Sequence, residues 1–209
     1  MHITSHIYQV GGSSFSSSSD AAVYVVKDKG SAALIDAGTG WAHDMIVAHI
    51  RELGIELQSI EYIFLTHCHF DHVGGTEELK NVTGAQVVSH ESDAQYLEIG
   101  DGDVTAAGWY GTILKPIKVD IAVSEPHLSF RVGSLTLEYI HTPGHSPGSS
   151  VIVVESDGQK VLFGQDIHGP LNELLLSNRR DYEKSLEFLI SLEADILCEG
   201  HFGVYKGKE

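Results

Sequence analysis

The stretch Thr66-His67-Cys68-His69-Phe70-Asp71-His72 decides how this chain is read. It directly follows Glu61 to Thr66 (EYIFLT), a run that reads as a buried strand. Residues 67–72 thus hold three imidazoles and one carboxylate on a loop that a strand end keeps still. Nitrogen and oxygen donors in this density suit zinc or a similar divalent first-row ion. In an extended chain His67 and His69 share one face. Asp71 and His72 then point elsewhere as the chain turns into a helix, which divides the donors between two neighbouring ions. The competing reading is a polar helix entry with Asp71 as the cap. It accounts for one His and one Asp, not for four potential ligands in six positions.

Outward from this loop, residues 3–10, 21–27 and 32–36 read as strands, and the Gly/Ser stretch 11–19 as a mobile loop. Residues 41–53 have helical apolar spacing and stop at Gly54. After the histidine loop come a helix around 75–82, a strand at 85–89, a helix over 91–99, and an irregular stretch through Trp109 and Tyr110. Then the pattern restarts, with strands at 117–123, 128–132, 134–140, 150–155 and 160–164, an amphipathic helix over 181–192, and an apolar strand at 195–198. Two β-rich halves with their own helices, about 1–115 and 116–209, predict two sheets face to face with helices outside, in one domain spanning 1–209.

Composition narrows the partners. The chain has 209 residues, 42% of them hydrophobic, enough for one sizeable core. Its formal net charge of −16, from 29 acidic against 13 basic residues, argues against nucleic acid, whose binding needs clustered Lys and Arg. Part of that excess can be ligand charge, because two divalent ions would bring it to −12. Membrane attachment is not indicated, since no apolar run approaches ~20 residues. Only Cys68 and Cys198 are present, and the start MHITSHIYQV lacks a basic region followed by an apolar run, so a cytoplasmic protein is expected. Both cysteines are expected to face the interior.

The stretch Thr142 to Ser149 (TPGHSPGS) has two readings. Residues 144–148 fit G-x-S-x-G, and Ser146, Asp166 and His201 follow one another in the order of a hydrolase triad. A serine elbow, however, takes an oxyanion-hole N–H from the residue after the nucleophile, and here that is Pro147. The following residues read as a strand where the elbow needs a helix. A stiff turn presenting His145 to a metal is the better reading.

The motif HCHFDH resembles the H-x-H-x-D-H signature of the metallo-β-lactamase superfamily. The resemblance extends along most of the chain, through Asp36-Ala37-Gly38, the T-P-G-H turn at His145, Asp166 at the end of VLFGQD, and His201 in ILCEGHF. It implies an α/β fold, an αββα sandwich of two mixed sheets. It also implies His67, His69 and His145 on a first ion, Asp71, His72 and His201 on a second, and Asp166 bridging them. The ions would be most often zinc, with iron or manganese as alternatives.

The implied reaction is hydrolysis of a small thioester, ester or lactone by a metal-bridging hydroxide, which Asp71 orients and whose proton it accepts. His72 together with Asp166 departs from the β-lactamases proper. The pattern is nearest the glyoxalase II-like (hydroxyacylglutathione hydrolase-like) group, but that group's C-terminal helical region with basic glutathione contacts has no counterpart here. Lys206 and Lys208 do not replace it. Persulfide dioxygenases of the same superfamily, which use one iron, are the alternative, and a non-catalytic metal-binding module is a third. Candidate substrate contacts are His168 and Tyr205, near two of the ligands, and Trp109 and Tyr110 on the irregular stretch. For each, a packing role competes.

Overall fold

A computed structural model describes residues 1–207, so Lys208 lies outside the described residues. The first sheet comprises β1 (Ile7–Gly11), β2 (Val23–Asp28), β3 (Ser31–Ile35), β4 (Ile60–Phe64), β5 (Gln86–His90) and β6 (Ile121–Val123), neighbours in that order. The β1–β2 and β2–β3 pairs are antiparallel, and the rest are parallel. Between them run α1 (His43–Glu52), α2 (Phe70–Val73), α3 (Thr76–Thr83) and α4 (Glu91–Ile99).

The second sheet holds β7 (His127–Val132), β8 (Leu135–His141), β9 (Ser150–Ser156), β10 (Gln159–Gln165), β11 (Ile196–Glu199) and β12 (Val204–Lys206), ordered β12-β11-β10-β9-β8-β7. Only β10–β11 is parallel, because α5 (Arg179–Ser191) makes the crossover between them. The chain passes from one sheet to the other between Val123 and His127.

Three apolar layers hold these elements, as an αββα sandwich requires. The layer between the sheets carries Tyr24, Phe64, Phe130, Tyr139 and Phe163. Phe130 sits 5.0 Å from Phe64 and 5.4 Å from Tyr62, in edge-to-face contacts that add to the area they bury. The outer face of the first sheet packs Val25, Leu34 and Ile63 against Ile46 and Ile50 of α1 and Leu79 of α3. On the outer face of the second, Val151, Val153 and Leu162 meet Leu189 of α5. Strands β2 and β3 are buried on both faces, which is why they read as unbroken apolar runs.

Two local expectations change. Only Ile121–Val123 of 117–123 joins the sheet, because the segment after Pro116 is held by Ile117 N–H on Leu97 and Asp120 N–H on Val87, across α4 and β5. The stretch 12–19 is a loop, with Phe15 and Ser16 N–H on the Gly12 carbonyl and the Ser16 hydroxyl on Asp20. The short strand β12 follows His201, where no strand was expected, and pairs with β11.

Candidate metal centre

The candidate ligands lie on the connections that follow strand ends, Asp71 and His72 within α2, on the same edge of the sandwich. His67, His69, Asp71 and His72 follow β4, His145 precedes β9, Asp166 follows β10 and His201 follows β11. His67, His69, His145 and Asp166 form one group able to hold an ion, and Asp71, His72 and His201 another.

His145 Nε2 stands 2.9 Å from His69 Nδ1 and 3.4 Å from Asp166 Oδ2, and His67 Nε2 is 3.9 Å from the same oxygen. On the other side, His72 Nε2 and His201 Nε2 are 3.1 and 3.2 Å from Asp166 Oδ1, and 3.8 and 3.3 Å from Asp71 Oδ2. Zinc–nitrogen bonds of 2.0–2.1 Å at tetrahedral angles put neighbouring donors ~3.3 Å apart. Both groups scatter around that edge, and Asp166 offers one oxygen to each.

The buried polar atoms fit a cation as well. His67 Nε2 is buried without a hydrogen-bond partner among the described residues, and His72 Nε2 and Asp166 Oδ1, 3.1 Å apart, are buried without one of good hydrogen-bond geometry. Such atoms are costly to bury unless something else satisfies them. Burial and the facing imidazoles hold His67 and His69 well below the ordinary histidine range, in the neutral form that binds metal. Burial also opposes charge on His72, but the carboxylates of Asp166, Asp71 and Asp36 outweigh it and hold that imidazole well above the range. Asp166 stays ionised far below its usual range despite burial, because His72, His145 and His201 converge on it.

A layer of buried acids aims these donors. Asp36, after β3 with φ of 60°, receives the Thr66 N–H and hydroxyl at 2.8 Å each and lies 2.6 Å from His72 Nδ1, fixing the ring. Asp93 of α4 is wholly buried and accepts from Cys68 N–H (2.9 Å), the Ser146 hydroxyl (2.6 Å) and Gly148 N–H (2.6 Å). It therefore ties the loop of His67 and His69 to the turn of His145. Glu199 accepts from the N–H groups of His201 and Phe202, both at 2.6 Å, and pairs with His168.

Neither Asp93 nor Glu199 carried a local signal. Asp93 reads as an ordinary first-turn helix acid, and Glu199 as one acid beside a candidate ligand. The TPGHSPGS turn is built for close approach. A Cβ on Gly144, at φ of 140°, would meet the Tyr182 backbone at 2.3 Å, and one on Gly148 would meet Asp93 at 2.6 Å. Ser146 is spent on Asp93 beneath the turn, far from a nucleophile's role.

A cleft of about 320 Å³ opens above the donors, lined by His69, Asp71, His145, Asp166 and His201 below and by Trp109, Tyr110 and His168 among its walls. Three of the four candidate contacts thus meet at one opening. Burial pushes the Tyr110 hydroxyl up, as does the Asp71 carboxylate it faces. Tyr205 stands apart on β12, exposed, with its hydroxyl on the Phe202 carbonyl. Phe202 lines the cleft instead, a position that sequence alone did not single out.

The profile of the metallo-beta-lactamase superfamily matches residues 19–201, and the chain belongs to that superfamily. Over 123 residues it is 32% identical to a protein of Methanocaldococcus jannaschii named "Probable metallo-hydrolase", covering 59% of this chain and 57% of that one. A hydroxyacylglutathione hydrolase of Cereibacter sphaeroides is 39% identical over 85 residues, 35% of this chain and 32% of that protein. Among solved structures, a subclass B3 metallo-beta-lactamase of Bradyrhizobium japonicum superposes with a TM-score of 0.78 at 29% identity, over 96% of this chain and 76% of that one. The chain spans about half the length of the first curated relatives it matches.

Proposed function

We propose that this protein is a dinuclear metal-dependent hydrolase that cleaves a small thioester, ester or lactone, with zinc as its usual ion. The observation that carries the reading is Asp166, whose two oxygens face two separate donor groups within 3.1–3.9 Å. His67, His69 and His145 would hold one ion and Asp71, His72 and His201 the other. Two such ions make water acidic enough to ionise near neutrality and polarise the oxygen of the bond being cut.

The chain's own residues do the rest. Asp71 Oδ2, between His72 and His201, orients the attacking water and takes up its proton. The Tyr110 hydroxyl beside it keeps that carboxylate aimed into the cleft. Pro170, Trp109 and Phe202 narrow the opening around a small-molecule substrate. Thiolate and alkoxide leaving groups suit the site better than an amine, which must be protonated before it departs.

We also propose a cytoplasmic location, a reading supported by the two free, buried cysteines. No helix among the described residues is long and apolar enough to cross a membrane.

The test is elemental analysis of protein purified without chelator, followed by a thioester, ester and lactone panel. About two divalent ions per chain and chelator-sensitive hydrolysis are expected. About one iron per chain, with oxygen uptake on a persulfide, would replace the hydrolase with a persulfide dioxygenase.

A further inference from the structure

We infer that the acyl part of the substrate is neutral and apolar, a claim that rests on the hydrolase reading and adds the substrate's chemical class to it. Above the donors, the cleft walls are Ala106, Trp109 and Tyr110 on one side, Pro170 and Leu175 on another, and Phe202 on a third. No Lys or Arg lines it among the described residues. A second carboxylate or a phosphate on the substrate would enter a chain of net charge −16 and lose its water with no cation to meet it on the walls except His168, which Glu199 already pairs. Methylene groups would replace water on six apolar side chains instead.

Two of these side chains are large aromatics left open to solvent, Trp109 at 54% and Phe202 at 66% exposure. They stand on separate segments and both line this mouth. Exposed apolar surface gathered at one opening marks a binding surface, whereas the same residues scattered singly would need no explanation.

Two of the walls are fixed relative to the donors. The Pro170 carbonyl lies 2.9 Å from His145 Nδ1, the Ser177 hydroxyl donates to the His145 carbonyl at 2.6 Å, and Asn178 N–H donates to the Gly144 carbonyl at 2.8 Å. Opposite, Phe70 N–H donates to the Thr105 carbonyl at 2.8 Å and the Tyr110 ring packs 5.4 Å from Phe70. An acyl chain on these walls is therefore held at a set distance from the reacting carbonyl, so its binding contributes to orientation. With about 320 Å³, the cleft is at the small end for ligand sites, which favours short chains.

The test uses the metal-loaded full chain and nitrophenyl esters from acetate to octanoate, with the hemisuccinate as a charged counterpart of the short neutral esters. We expect kcat/KM to rise about threefold per methylene before levelling off by about C8, and the hemisuccinate to be at least ~10-fold slower than the neutral ester of similar length. Trp109→Ala and Phe202→Ala should flatten the rise.

A flat or falling series, or a preference for the hemisuccinate, would overturn the inference while leaving the hydrolase reading in place. Hydrolysis of no ester, thioester or lactone would count against the hydrolase reading itself. The apolar cleft is then judged by titrating alkyl methyl ketones into a Trp41→Phe variant and following Trp109 emission. Affinity that grows with chain length upholds the apolar cleft, and affinity independent of length overturns it.

Discussion

The second sheet presents its two candidate ligand histidines in opposite ways. His145 sits on a turn packed under α5, its side chain 5% exposed, with Asp93, Ser149 and the segment 170–178 all bonded to that turn. His201 sits on a loop between β11 and β12, its side chain 31% exposed, and the buried carboxylate of Glu199 gathers the loop's N–H groups. One donor group is thus built into the core, whereas the other closes through a solvent-facing loop. Local stability follows buried contacts, so the His145 group should be the more rigid half and the His201 group the one that yields its ion first.

The largest expected effect erases the contrast. Asp166→Ala removes the residue both groups share, and activity should fall about 10³-fold or more, with both ions lost from the purified protein by elemental analysis. If one ion were retained at full occupancy, Asp166 would not be the shared element.

Asp93→Ala acts on the rigid half. It leaves Cys68 N–H, Gly148 N–H and the Ser146 hydroxyl without their acceptor in the interior, a loss of roughly 3 kcal/mol. Thermal unfolding should drop by roughly 6–12 °C. An unchanged midpoint would mean that the turn holds itself.

Glu199→Ala acts on the exposed half. About 10–100-fold weaker binding is expected for the ion of Asp71, His72 and His201, with the other ion unaffected in a competitive chelator titration. Equal weakening of both would dissolve the distinction between the halves.

The smallest effect is a pH dependence. His90 caps α4, the helix that carries Asp93, through Nδ1 on the Ser92 N–H, and stacks 3.6 Å from His141. Burial, and then His141, lowers its pKa to about 4. Below the ordinary 6.5 the unfolded chain takes up a proton that the folded one refuses. The contribution is therefore complete above pH 6.5 and is lost as pH falls toward 4, on the order of 1 kcal/mol after solvent screening. His90→Asn keeps an acceptor at the cap without titrating. Denaturant melts from pH 7 to 4.5 should show a shallower acid limb for the variant, and parallel limbs would remove His90 from the account.

How much of this was legible depends on where each residue's partner lies. His67, His69, Asp71 and His72 identify themselves because four donors crowd one loop, a density that needs no partner to be noticed. His145, Asp166 and His201 follow from the superfamily pattern, and their strand-end positions from the apolar runs beside them. Nothing local distinguishes Asp93 or Glu199 among 29 acidic residues, and Asp36 was visible only as part of a turn. Asp36 and Asp93 act on groups 25 to 55 positions away. Phe202 was passed over because an apolar residue after a candidate ligand predicts packing, and only the converging walls show that it faces an opening.

The αββα layering, the crowding of donors in residues 67–72 and the weakness of the esterase reading were legible in the sequence itself, because periodicity, turn chemistry and donor spacing are local properties of a chain. The tertiary structure decided the rest: which acid aims which imidazole, which half of the site is buried, and what lines the cleft. Those depend on distances between segments far apart in sequence, and only packing sets them.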